Sequence, residues 1–228
     1  MNENIGEELI HELLADPREF DESGRAYALL QAYFDGLPLS TLRPLLQSQD
    51  VFVNRSAAFV ASELGAGAST LIDDVIPLLR SPDRHVRYYA TEVLTVCAKG
   101  DRAKEFAHVM RMLECDDDGL RYLTMHLVSR ADVSQLEAAR RAFEHLAVPD
   151  ERHVTGLLTL AAEDRVDPDI VAAMMTDADP LVRRYGAIAA KRTFRHFPAL
   201  IREAVFSKDS EIRKFCQSVV QDHDSSDD

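Results

Sequence analysis

The feature that most constrains this chain is a repeat that recurs every 29 to 34 residues along its 228 residues. The clearest copy begins at Asp83, followed by an aliphatic residue at +3, arginine at +4, a small residue at +7 and an aliphatic residue at +11 (Val86, Arg87, Ala90 and Leu94). The same spacing, with some substitutions, begins at six other aspartates: Asp21, Asp50, Asp117, Asp150, Asp179 and Asp209. Such a period predicts a stack of similar supersecondary units.

The spacing has a direct physical interpretation as a helix that starts at each aspartate. Aspartate is a favoured N-cap, because its carboxylate accepts hydrogen bonds from the free N–H groups of the first turn. Positions +3, +7 and +11 then lie along one apolar stripe, and the small residue at +7 allows another helix to approach closely. A second set of helical segments precedes the capped ones, at 5–15, 39–47, 70–80, 102–113, 133–146, 168–175 and 198–206.

Short Gly-, Pro-, Asp- and Ser-containing connections separate these segments, and neither period-2 alternation nor a hairpin signal appears between them. We therefore expect an all-α chain in which about seven antiparallel helix pairs form a right-handed α-α superhelix. This solenoid is expected to be a single domain over residues 1–221. Residues 222–228 hold four aspartates and no apolar residue, which predicts an acidic disordered tail.

The D-x-x-V-R-x-x-A phase on the second helix of each pair resembles HEAT repeats, especially the short HEAT-like type found in relatives of phycobilisome lyases. In that family the aspartate and the +4 arginine form a ladder between adjacent repeats. The resemblance thus implies structural roles for eight residues: Asp83, Arg87, Asp117, Arg121, Asp179, Arg183, Asp209 and Arg213. Asn54 and Val154 replace the arginine in two copies, which makes the fifth repeat a candidate bend.

A binding surface is expected at positions +5 and +9, which face away from the apolar stripe and which, in HEAT-like stacks, line the concave face. The residues of this candidate partner-binding surface are Arg55, Phe59, Tyr88, Glu92, Tyr122, His126 and Arg184. Aromatic and arginine side chains commonly anchor protein interfaces. For Tyr88 and Tyr122, partial burial against neighbouring helices is an equally good interpretation.

The charge is strongly negative and unevenly placed. The chain has 26 Lys and Arg against 39 Asp and Glu, a net −13, which argues against a general binder of nucleic acid or of membrane surfaces. Residues 180–221 are the exception, with nine basic and three acidic residues (9 − 3 = +6). The basic face around Arg184, Lys191 and Arg192 supplies the alternative function: a HEAT-like protein that binds nucleic acid, or one that resembles a lyase or glycosylase.

Nothing in the sequence predicts catalysis, a metal or a cofactor. There is no phosphate-binding glycine loop or nucleophile elbow, and the eight histidines have no zinc-site spacing. The acidic run Glu114, Asp116, Asp117 and Asp118 lacks the pattern of a calcium loop. Three widely spaced cysteines favour reduced thiols, and no secretory signal or membrane span is visible, so we expect a cytoplasmic protein.

These observations favour a non-catalytic protein interaction module. Its concrete form is an acidic immunity or inhibitor protein that occludes a basic partner such as a toxin or nuclease, because opposite charges accelerate capture.

Overall fold

The computed structural model describes residues 2–224, and every regular element in that range is a helix. The expected all-α fold and its organisation into helical repeats are confirmed. None of the helices in the described range has the length and apolar character that crossing a lipid bilayer requires.

The chain divides into two compact units between Ala98 and Lys99, which we call the N-terminal and C-terminal units. The expectation of a single repeat domain over residues 1–221 stays a prediction. The repeat pattern runs unchanged through the division, so the periodicity alone could not indicate it. Three of the seven predicted repeats fall in the N-terminal unit and four in the C-terminal unit.

In residues 2–98 the N-terminal unit contains seven α-helices: α1 (Asn2–Ala15), α2 (Pro17–Glu22), α3 (Ala26–Phe34), α4 (Arg43–Leu46), α5 (Val51–Glu63), α6 (Ile72–Val75) and α7 (Arg84–Cys97). The described part of the C-terminal unit, residues 99–224, contains eight: α8 (Phe106–Arg111), α9 (Asp118–Val128), α10 (Val133–Glu144), α11 (Glu151–Ala161), α12 (Pro168–Met175), α13 (Pro180–Arg192), α14 (Pro198–Ala204) and α15 (Ser210–Asp224). Since α15 continues through Asp224, residues 222–224 are helical rather than disordered, and residues 225–228 of the predicted tail lie outside the described range.

In six of the seven repeats the second helix begins directly after the predicted aspartate. The carboxylate of Asp83, for example, accepts from the backbone N–H groups of His85 and Val86 at 2.9 and 3.0 Å. Asp50, Asp117, Asp179 and Asp209 accept in the same way from the first turns of α5, α9, α13 and α15. The first repeat departs from the pattern, because Asp21 lies inside α2, whose N-cap is Asp16.

The first helices of repeats two, three and four are shorter than predicted. Each is a brief α-helix joined to 3₁₀ turns, which occupy Leu39–Thr41, Gly65–Leu71, Ile76–Arg80, Gly100–Glu105 and Met112–Glu114. Pro44 and Pro77 stand at the first or second position of the helical segments that contain them, where a missing N–H costs no hydrogen bond.

The +4 side chain closes the turn of its own repeat. Arg87 donates to the carbonyls of Ser81 and Pro82 at 2.8 and 3.0 Å, and Arg183 donates to those of Asp177 and Ala178. These carbonyls lie just beyond the end of the preceding helix. Arg121 and Arg213 make the equivalent bond to Cys115 and Ser207. Asn54, which replaces the arginine, donates to the carbonyls of Leu45 and Leu46, so its smaller amide also satisfies carbonyls at the end of the preceding helix.

Candidate functional site

Arginine side chains link several repeats to the capping aspartate of the next one. Among the predicted residues, Arg183 reaches the next cap, Asp209, at 2.6 Å. In the second repeat, Arg55 at +5 bridges Asp21 and Asp83 at 2.9 and 2.5 Å. Arg55 is thus a structural bridge rather than a free residue of a binding face.

The fifth repeat makes the equivalent bridge from position +2. The guanidinium of Arg152 lies 2.9 Å from Glu114, 3.3 Å from Asp150 and 3.5 Å from Asp179. Both repeats that lack the +4 arginine therefore keep a link to the following cap. Arg183 thus makes the bridge that the resemblance implies, and Arg55 and Arg152 make bridges that it did not assign.

In the C-terminal unit, α15 contacts the concave-face residues predicted on α9. Tyr122 and His126 lie edge-on to Phe215, with ring centroids 6.4 and 4.7 Å away. His126 also bonds Lys191 at 2.9 Å through Nδ1. Burial, together with the nearby cations Lys191 and Arg130, lowers the pKa of His126 to about 4. Tyr122 and His126 of the predicted partner-binding surface are therefore engaged in contacts within the C-terminal unit.

The basic residues of the alternative function are also engaged. Arg184 is 12% exposed and pairs with Glu211 at 2.8 Å while donating to the carbonyl of Leu113. Arg192 is 9% exposed and donates to the carbonyls of Ser129 and Ala131. Arg184 and Arg192 are therefore held within the fold and do not form an exposed cationic groove.

The N-terminal unit presents a different arrangement, in which predicted residues remain partly exposed. Phe59 on α5 lies 5.7 Å from Tyr89 on α7, with the two rings inclined at 68°. Tyr88 lies 6.2 Å from Tyr89 at 83° and is 38% exposed. The three rings therefore form one aromatic cluster on the packed helices α5 and α7.

Two carboxylates lie beside this aromatic cluster. Glu92 on α7 is half-buried and Glu63 on α5 is exposed. Burial raises the pKa of Glu92, and the negative charge of Glu63 raises it further. Among the described residues, neither carboxylate has a hydrogen bond or an ion pair. We call Phe59, Glu63, Tyr88, Tyr89 and Glu92 the aromatic–acidic patch.

The sequence identified three members of this patch and missed two. Tyr89 falls at +6 of its repeat, where the equivalent Tyr185 is fully buried, yet the Tyr89 ring is only half-buried. Glu63 falls at +13, beyond the repeat positions considered in the sequence. The signal that could have found it is its spacing from Arg55 and Phe59, because residues four apart share a face of a helix.

A second cluster lies in the C-terminal unit around a fully buried histidine. His153 bonds the Tyr185 hydroxyl through Nδ1 at 2.6 Å and Glu114 through Nε2 at 2.9 Å, and it stacks on Phe143. Glu114, Asp150 and His153 could together offer three ligand atoms to a metal ion.

The hydrogen bonds favour a structural interpretation of this cluster. If the Tyr185 hydroxyl donates to Nδ1, then Nε2–H of His153 donates to Glu114, and each polar group has a partner. Arg152 already neutralises Glu114 and Asp150. The sequence pattern missed this network because His153 stands at +3, where other copies carry an apolar residue.

Comparisons with known proteins identify no family. No family model and no curated protein matches the chain. Among solved structures it is similar to three crystal structures of engineered proteins from the Northeast Structural Genomics Consortium. The first has a TM-score of 0.44 and 17% identity, with 82% of this chain and 96% of that one covered. The second has a TM-score of 0.44 and 16% identity, with 85% of this chain and 60% of that one covered. The third has a TM-score of 0.42 and 16% identity, with 80% of this chain and 97% of that one covered. Likeness at this level has no bearing on function.

Proposed function

We propose that this chain is a non-catalytic protein interaction module whose N-terminal unit captures a basic partner protein. The observation that supports this most is the uncompensated pair Glu63 and Glu92 beside the exposed ring of Tyr88. Two carboxylates that repel each other, one of them half-buried, are unfavourable in the free protein. A cation supplied by a partner would remove that repulsion.

The distribution of charge also supports capture of a basic partner by the N-terminal unit. Residues 1–98 hold 7 Lys and Arg and 15 Asp and Glu (7 − 15 = −8), and residues 99–228 hold 19 and 24 (19 − 24 = −5). The N-terminal unit is the shorter and carries the larger negative charge. Such a field accelerates association with a basic protein and makes the rate sensitive to salt.

The finer form of the proposal draws on the resemblance to HEAT-like repeats. In this form the protein is an acidic immunity or inhibitor protein of the cytoplasm that occludes a basic toxin or nuclease. The alternative, a nucleic-acid-binding or lyase-like HEAT protein, has less support because Arg184 and Arg192 are held by internal contacts.

The test compares capture of partner proteins by three forms of the chain. The wild type, the Glu63→Gln/Glu92→Gln double variant and a Glu7→Gln/Glu151→Gln control are immobilised and exposed to lysate of the native host. The control removes the same charge at two exposed positions outside the patch. We expect the wild type and the control to retain the same basic protein, and the double variant to lose it.

Retention of that protein by the double variant would contradict the proposal. Capture of nucleic acid by all three forms, with release by washing at high salt, would favour the alternative function. Circular dichroism of each form shows that any loss of capture is not a loss of fold.

A further inference from the structure

The N-terminal unit already contains one completed example of the chemistry that the aromatic–acidic patch offers. Arg55 bonds the carboxylates of Asp21 and Asp83 and places its guanidinium 5.2 Å from the centre of the Phe52 ring. The arrangement is one guanidinium, two carboxylates and one aromatic ring. A guanidinium suits it because its planar fork bonds two acceptors while its face lies on a ring.

The patch lies next to this arrangement and has the same composition without the cation. Phe59 and Glu63 follow Arg55 at intervals of four, so the three share one face of α5. Tyr88 and Glu92 have the same spacing on α7, which packs against α5. The patch therefore provides two carboxylates and three rings, and no arginine or lysine pairs with either carboxylate among the described residues.

We propose that the aromatic–acidic patch is a binding site for an arginine side chain of the partner, whose guanidinium pairs with Glu63 and Glu92 and stacks on the ring of Tyr88. This inference rests on the proposed function and adds to it the chemical group that is recognised. The partner's arginine would bridge two carboxylates of this chain, as Arg55 does within the chain.

An arginine fits the patch better than a lysine for two reasons. An ammonium is a compact, strongly hydrated charge, whereas a guanidinium is more weakly hydrated and loses less on approaching half-buried groups. The guanidinium also presents five N–H donors in a plane, which allows it to bond two separate carboxylates at once.

The experiment uses three pentapeptides, Gly-Ser-Xaa-Ser-Gly, in which Xaa is arginine, lysine or citrulline. Citrulline keeps the planar shape of arginine and has no charge. Each peptide is titrated into the full chain while the ring signals of Tyr88 and Tyr89 are followed by NMR. We expect the arginine peptide to shift these signals, with an affinity roughly tenfold or more above that of citrulline and above that of lysine.

Variants locate the site. Glu92→Gln and Tyr88→Ala are each expected to weaken the arginine peptide, and Glu7→Gln is expected to leave its affinity unchanged. Equal affinity for arginine and citrulline, or an arginine affinity that Glu92→Gln does not alter, would overturn the inference. A lysine peptide that binds as tightly as arginine would overturn the specificity for a guanidinium.

The result is separable from the proposed function. If a basic partner is lost from the Glu63→Gln/Glu92→Gln variant while no arginine peptide binds the patch, the proposed function stands and the arginine inference falls. If the arginine peptide binds and the partner is retained by the double variant, the proposed function falls and the patch remains a guanidinium site.

Discussion

At the scale of single residues, the main finding is that similar side chains at equivalent repeat positions have different surroundings. Glu92 and His126 both stand at +9 of their repeats. Glu92 has no counter-ion, whereas His126 is bonded to Lys191 and packed on Phe215. The sequence could place both on the outward face of a helix. It could not show which face α15 would contact, because Phe215 lies 89 positions beyond His126.

The carboxyl of Glu92 gives a prediction about stability. Its pKa is raised above the ordinary 4.5 by burial and by Glu63, and the rings of Tyr88 and Tyr89 lie beside it. A raised carboxyl pKa means that the folded state loses stability as the pH rises through the window from 4.5 to the folded pKa. We therefore expect Glu92→Gln to increase the free energy of unfolding at pH 7 and to change it little in acid below that window.

Urea denaturation at pH 7 and in acid checks this expectation. A Glu92→Gln variant that is less stable than the wild type at pH 7 would contradict it. A variant that is both more stable and unable to bind the partner would identify Glu92 as a residue kept for function at a cost in stability.

The imidazole of His126 gives a second prediction at this scale. Its pKa of about 4 arises from burial and then from Lys191 and Arg130, while Asp222 opposes the shift. Since the folded state favours the neutral imidazole, its contribution to stability is present above pH 6.5 and is lost as the pH falls from 6.5 towards 4. We expect NMR titration to give a pKa of about 4, and Lys191→Met to raise that value. A pKa near 6.5 in the wild type would show that His126 is not packed as described.

At the scale of helices, repeats two, three, four, six and seven are organised around a capping aspartate and the +4 side chain. The aspartate satisfies the start of the second helix, and the +4 arginine or asparagine satisfies carbonyls at the end of the first. The sequence predicted the caps because an N-cap is a local interaction. It did not predict the 3₁₀ turns in the first helices, whose apolar spacing is compatible with an α-helix.

Close packing between helices leaves no room for a side chain at Gly186, which stands on α13 at +7 from Asp179. A Cβ atom there would lie 2.7 Å from the backbone nitrogen of Met175 on α12, which cannot move aside as a side-chain end could. We expect Gly186→Ala to destabilise the protein by roughly 1–3 kcal/mol, in spite of the better helix propensity of alanine. Thermal or urea unfolding measures this.

The matched control is Gly67→Ala, where an added Cβ would meet open space. We expect that variant to stay within about 0.5 kcal/mol of the wild type. If Gly186→Ala proves as harmless as Gly67→Ala, then the approach of α12 and α13 is looser than described.

At the scale of the whole molecule, the sequence predicted the fold class and the number of repeats, but not the division into two units. The repeat phase fixes which face of each helix is buried. It does not specify contacts between distant repeats, such as the pair of Arg121 with Glu211 at 2.8 Å in the C-terminal unit. The same limit applies to the prediction of function. In the N-terminal unit, Glu92 of the predicted partner-binding surface has no counter-ion among the described residues, whereas in the C-terminal unit Tyr122 and His126 of that surface pack against α15.

The central claim is that the aromatic–acidic patch captures a basic partner. The measurement that tests it most directly is the dissociation constant of the captured partner for the wild type, Glu63→Gln/Glu92→Gln and Glu7→Gln/Glu151→Gln, at low and at high salt. We predict that the patch variant binds roughly tenfold or more weakly than the wild type and depends less on salt, and that the control keeps its affinity within a few-fold. Equal affinity of the patch variant and the wild type at both salt concentrations would contradict the claim.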